Sequence, residues 1–154
     1  MKNTFLPFLA VSVCILSLNS CNSSSSESAS KSKHSNKDWT AAELEGHYSY
    51  EQNGDTIILD LKNQNDSLIG ELSYNFEEKD RNNGVFRAVI KDSLIVGYYN
   101  FNSEGINSTR ETVFGILPDG LIEGFGEIEE QDSLIVFKNK DSLRFDHGMV
   151  LEKR

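Results

Sequence analysis

From Gly46 to Lys153, short runs of β-branched, aromatic and aliphatic residues are interrupted every eight to twelve positions by turn-forming residues. The interruptions are Asn53-Gly54, Asn63 to Asp66, Asn82-Asn83-Gly84, Pro118-Asp119-Gly120 and Asn139 to Asp141. Asp-Ser-Leu occurs four times, as Asp66-Ser67-Leu68, Asp92-Ser93-Leu94, Asp132-Ser133-Leu134 and Asp141-Ser142-Leu143, with Asp55-Thr56-Ile57 as a fifth relative. In each, a turn-favouring Asp precedes the first apolar residue of a run. Units this short do not stack into a solenoid, and a meander of hairpins fits them.

The pattern predicts strands near 46–52, 55–62, 67–78, 84–91, 93–101, 109–117, 121–129, 133–138, 142–146 and 149–153. Ile57, Leu59 and Leu61 share one face of the second; Leu68, Gly70, Leu72, Tyr74 and Phe76 share one face of the third. Gly124 and Gly126, inside a run read as continuous, mark a bend or a close backbone approach. Thr40-Ala41-Ala42-Glu43 has capping-box spacing and Gly46 follows, so a single helical turn is expected first. The expected fold class is all-β: a single antiparallel up-and-down meander barrel of about 8–10 strands with a short N-terminal helical turn, because closure removes unpaired edges.

Ahead of this domain, residues 1–20 have three zones. Lys2 gives a positive start, Phe5 to Leu18 is almost wholly apolar, and Leu18-Asn19-Ser20 runs into Cys21. The apolar run is shorter than the ~20 helical residues a bilayer crossing needs and matches the core of an export signal. Residues 22–38 are rich in serine and carry no apolar period, which predicts a flexible tether spanning roughly 20–25 Å. The expected organisation is 1–20 signal peptide, 21–38 lipidated Cys and tether, and 39–154 barrel domain.

Leu18, Ser20 and Cys21 resemble the lipobox of bacterial lipoproteins. The resemblance implies that Cys21 carries a diacylglycerol and becomes the first residue of the mature chain. Its partner would then be the membrane, reached through lipid. Asn22 lacks the acidic inner-membrane retention mark of enteric lipoproteins, so the implied address is the cell envelope, as an outer-membrane lipoprotein on the periplasmic face or the cell surface. Leu44-Glu45-Gly46-His47-Tyr48 after a helical turn resembles the opening of lipocalin-type barrels, with Tyr48 at the aromatic position. The whole domain, notably Glu78-Lys79-Asp80 and Ser103-Glu104-Gly105, resembles uncharacterised β-rich lipoproteins of Bacteroidota. The Asp-Ser/Thr-apolar segments resemble the O-glycosylation acceptors of that group, implying sugar on Thr56, Ser67, Ser93, Ser133 or Ser142.

The two cysteines are Cys14, in the signal, and Cys21, so the domain has no thiol for a disulfide or a Cys-based metal site. Of the fifteen Lys and Arg, Lys2 lies in the signal; the remaining fourteen face 24 acidic residues, about −10. That balance speaks against nucleic acid and against peripheral binding to anionic lipid.

In a meander the connections alternate between two ends. Those near 53–54, 79–84 and 102–108 share one end, two of them are long, and long loops on a rigid scaffold carry binding residues. The expected site is therefore a rim of Glu78, Lys79, Asp80, Arg81, Glu104 and Arg110 over the barrel mouth, with a Glu104–Arg110 ion pair as the plainer alternative. Tyr98, Tyr99, Phe101, Phe114 and Phe125 are expected in the core or lining a pocket. Glu123, Glu127 and Glu129, spaced with Phe125 on one strand face, are expected on an outer wet face. His47 and His147 meet if the terminal strands pair, but two ligands fall short of a zinc site.

No nucleophile elbow, phosphate loop or HExxH sequence is present, and no cofactor or metal is implied. The expected function is a non-enzymatic binding or interaction module for a small apolar ligand or an envelope protein. Inhibition of a cell-wall hydrolase such as lysozyme is the alternative, and a hydrolase is third.

Overall fold

The computed structural model describes residues 37–77, 79, 81–103 and 105–154; the signal, Cys21 and most of the tether lie outside them. The fold is an all-β closed barrel. Its elements are α1 (Ala41–Leu44), β1 (Gly46–Gln52), β2 (Asp55–Gln64), β3 (Ser67–Asn75), β4 (Asn82–Lys91), β5 (Leu94–Ser103), β6 (Ile106–Leu117), β7 (Gly120–Glu123), β8 (Ile128–Gln131), β9 (Leu134–Phe137) and β10 (Val150–Lys153).

The chain turns at four of the five predicted separators; Asn82-Asn83-Gly84 instead opens β4, paired with Tyr74, Ser73 and Leu72 of β3. Asn53-Gly54, Asn65-Asp66 and Asp132-Ser133 have positive φ at both positions, the geometry that matches the twist of a two-residue hairpin. Asp92 has φ 56° with Ser93 outside the left-handed region. Three of the four Asp-Ser-Leu segments are thus hairpin turns feeding a strand. The fourth, at Asp141, lies in a short 3-10 turn, Lys140–Ser142, capped by Asn139.

The pairing runs β5-β4-β3-β2-β1-β10-β7-β6, and β6 pairs again with β5. Eight strands therefore close an antiparallel ring, as expected. The meander makes one excursion, because β8 and β9 leave the ring between β7 and β10. They form a hairpin whose β9 lies parallel to β6 through Thr109↔Leu134 and Arg110↔Ile135.

The connection expected to be long at 102–108 is short, because β5 runs to Ser103 and β6 starts at Ile106, with Asn102↔Asn107 and Ser103↔Ile106 paired. Two expected strands are also not formed as read. The run 121–129 is not one strand: β7 ends at Glu123 and β8 starts at Ile128. Residues 142–146 form no strand and make only the single bridge Phe125↔Arg144. The cause is packing. A Cβ on Gly124 would lie 2.7 Å from Phe145 Cε1, and one on Gly126 would lie 2.9 Å from Leu143 Cδ2. The glycines let the 143–145 segment cross tightly over the strand, and the crossing breaks it.

An eight-stranded barrel leaves an interior just wide enough for side chains to fill. Here Tyr48, Leu59, Leu72, Phe86, Tyr99, Phe114 and Leu121 are fully buried in that interior. One end is plugged by α1. Thr40 caps it: Glu43 N donates to Thr40 Oγ1 at 3.3 Å, and Thr40 N donates to Glu43 Oε2 at 2.9 Å. Ala41 and Leu44 are buried, and Tyr48 Oη donates to the Leu44 carbonyl at 2.9 Å. The described chain thus enters at the plugged end. The β1–β2 turn and the connections after β3 and β5 lie at the other end, the mouth, where Glu77 N donates to Asp55 Oδ1 at 2.8 Å.

Candidate functional site

Beneath the mouth, inside the wall, lies a polar cluster. Arg110 on β6 reaches Glu123 on β7, Nη2 to Oε1 at 3.3 Å, and Tyr74 Oη donates to Glu123 Oε2 at 2.8 Å. The guanidinium carbon stands 5.0 Å from the Tyr74 ring centre, 5.5 Å from that of Tyr99 and 5.9 Å from that of Phe101. Tyr99 and Phe101 stack with centroids 4.8 Å apart. A cation against aromatic faces is attracted by the ring quadrupole.

Burial pushes the Glu123 carboxyl up, and Arg110 with the Tyr74 hydroxyl oppose that. Burial pushes the Tyr99 phenol up to about 12. Tyr99 Oη, Arg110 Nε and Thr112 Oγ1 have no protein partner among the described residues.

The rim residues divide. Glu78, Asp80 and Glu104 lie outside the described residues. Lys79 and Arg81 are exposed at the mouth, Lys79 Nζ 5.5 Å from the Phe76 ring centre. Arg110 points into the wall and pairs with Glu123. Glu123 is accordingly not on a wet outer face: it is 4 % exposed and faces the interior, while Glu127 and Glu129 are exposed. The break in the strand after Glu123 separates them. Among the aromatics, Tyr99 and Phe114 are core, whereas Tyr98 faces outward and Phe125 is exposed on the excursion.

A second buried acid was not singled out from the sequence. Glu111, on the outer face of β6, accepts the Phe137 backbone N–H at 3.0 Å and Lys140 Nζ at 2.9 Å. Val113 and Ile122 are buried on that same outer face, where Phe145 closes over Gly115. The excursion is therefore strapped across the outside of β6 and β7. The available signal was Glu111 to Phe114, four consecutive buried residues that break the period-2 alternation of a strand covered on one side only.

The strap ends in the β8–β9 hairpin. Its tip, Asp132-Ser133, lies beyond Leu134, which pairs with Thr109 near the mouth end of β6. Every residue of β8 is exposed. No protein-family model, curated protein or solved structure matches this chain.

Described clefts open on the outside of the barrel. One of about 470 Å³ is bordered by Ile69, Val89, Val96 and Tyr98, and another of about 470 Å³ by Lys62, Glu71 and Val85. The terminal strands β1 and β10 pair, but the histidines have separate partners: His47 Nδ1 is 2.6 Å from Asp60 Oδ1, and His147 Nε2 is 2.6 Å from the Glu123 carbonyl. Among the described residues no three His, Cys, Asp or Glu converge as metal ligands. Of the acceptor hydroxyls, those of Ser67, Ser133 and Ser142 are on exposed residues; Thr56 and Ser93 are half-buried.

Proposed function

We propose that this chain is an envelope lipoprotein, anchored through lipid on Cys21, whose barrel is a non-enzymatic interaction module for an envelope protein. The observation that carries the choice of a protein over a small apolar ligand is where the apolar and polar groups go. The interior is occupied by Tyr48, Phe86, Tyr99, Phe114 and the Arg110–Glu123 pair, while an exposed hairpin projects outside it. Each Glu123 carboxylate oxygen has a partner inside the wall, one held by Arg110 and the other by Tyr74. The hairpin tip points to the mouth end, opposite the end plugged by α1, where the described residues begin.

The test is affinity capture of the full lipidated chain from detergent-solubilised envelope, with native mass spectrometry of the same preparation. An envelope protein recovered in near-equal amount, and a bait mass with no small-molecule adduct, is the expected result. A retained small molecule without a protein partner contradicts it. Palmitate label entering the wild-type chain but not Cys21→Ala tests the anchor.

A second reading, inhibition of a cell-wall hydrolase, draws on the exposed Glu127, Glu129 and Glu130, which suit a basic enzyme surface. Slowed lysozyme digestion of cell walls in the presence of the full chain favours it; unchanged digestion removes it. We also propose Ser67, Ser133 and Ser142 as the accessible glycosylation acceptors, for which an intact mass equal to the bare lipidated chain is the contrary result.

A further inference from the structure

The ring of eight strands closes on itself, but the sheet has a free end. Its order ends at β8, which pairs with β9 on one side and with no strand of the described residues on the other. We infer that β8 is a strand-pairing site for an extended, basic segment of a partner protein. The inference rests on the interaction reading above and names the chemistry of that partner.

The register identifies the groups on offer. The Asp132-Ser133 turn sets Gln131 opposite Leu134, and the Lys138 backbone N–H donates to the Glu127 carbonyl at 2.9 Å. Hydrogen-bonded and non-bonded positions alternate in an antiparallel pair. Glu127, Glu129 and Gln131 therefore turn their main-chain groups toward β9, and Ile128 and Glu130 turn theirs outward. The free edge presents two N–H and two C=O groups, spaced as a fourth-party strand requires.

Charge selects the occupant. Glu127, Glu129 and Glu130 are all exposed, and one cation, Lys138, faces Glu127 at 3.3 Å. Antiparallel pairing with a second copy would set Glu against Glu, which is destabilising. The same carboxylates that block self-association favour lysines or arginines alternating along an incoming strand. Ile128, 55 % exposed, gives such a strand an apolar neighbour. β8 is short and charged, which guards it against a second copy, yet it is not bulged, holds no Pro and is exposed along its length, so its outward groups stay open to a partner of opposite charge.

The experiment is hydrogen exchange by NMR on the full chain in detergent micelles, titrated with a capped hexapeptide of alternating Lys and Val. Amide exchange at Ile128 and Glu130 slows by about tenfold or more at saturation. The effect weakens as salt rises from ~0.1 to ~1 M and the screening length falls from about 10 to about 3 Å. Glu130→Pro removes an outward N–H without touching the β9 ladder, so it abolishes the slowing while leaving the unfolding transition in place. Should that variant fail to fold, Glu129→Lys with Glu130→Lys moves the preference to an alternating Glu and Val peptide.

Equal protection by the acidic peptide, or protection appearing at Val89 and Tyr98 instead, overturns the assignment. No protection by the basic peptide overturns it too. If the basic peptide fails while affinity capture still recovers a stoichiometric protein, β8 pairing falls and the interaction reading stands; if both fail, both fall.

Discussion

Lys140 Nζ donates to Glu111 Oε1 at 2.9 Å while the Phe137 N–H occupies the other oxygen at 3.0 Å, so one acid on the outside of β6 holds both β9 and the turn beyond it. Glu111 is 7 % exposed, and a hydrogen bond to a charged group contributes about 1.5–3 kcal/mol. Glu111→Ala is expected to speed amide exchange across 134–143 by the corresponding factor while leaving β2–β5 protected. Hydrogen exchange by mass spectrometry reads the two regions separately. Uniform loss of protection would mean that the strap and the barrel unfold as one.

Arg110 and Glu123 form the charged pair inside the wall, and breaking a buried pair leaves an uncompensated charge. Arg110→Ala or Glu123→Ala should lower stability by about 3 kcal/mol, the low end for buried pairs, because Arg110 keeps 32 % of its side chain exposed. The double change Arg110→Met with Glu123→Leu should recover most of that loss. Urea unfolding of the four proteins decides it.

Gly97 faces the interior of β5, and a Cβ there would overlap the Arg87 carbonyl oxygen and the Ala88 side chain on β4. The obstacle is backbone, so Gly97→Ala should cost about 1–3 kcal/mol. Gly105 has φ +83° with nothing within 4 Å of an added Cβ, so Gly105→Ala should cost only the ~1–2 kcal/mol of left-handed backbone. Thermal unfolding of the two variants separates close approach from conformational strain.

Stability should respond to acid in two opposite steps. The folded-state pKa of Glu123 is raised by burial, so the native state takes up its proton first, and this group adds stability as pH falls through the raised value toward 4.5. Glu43 is lowered to about 2, first by the Thr40 backbone hydrogen bond and then by Lys37, so its contribution is present above 4.5 and is lost as pH falls toward 2. Glu123→Gln should remove the upper slope and Glu43→Gln the lower one in unfolding measured from pH 7 to 2.

The barrel was legible because its signals are local. Asn53-Gly54 and Asn65-Asp66 preset hairpin geometry, and Leu68 to Phe76 alternate at the strand period, so closure followed from strand number. The capping box at Thr40 and Glu43 reads directly from spacing. The strap was not legible, because what organises it is contact between residues far apart in sequence. Gly124 meets Phe145, and Glu111 meets Lys140, pairs that no periodicity announces. Glu123 was placed on a wet face for the same reason: alternation continued through 127 and 129 on paper, while the crossing at Gly124 ends the strand. The signal-peptide and lipobox readings come from residues outside the described structure and stand on sequence alone.

In the proposed function this barrel meets a protein through the hairpin. Photo-crosslinking in intact cells tests it most directly, with a benzophenone side chain placed in turn at Ile128, Lys79, Arg81 and Val89 of the full chain. A discrete protein adduct is expected from position 128 and none from the other three. Adducts from positions 79 and 81 with none from 128 would contradict it and return the site to the rim.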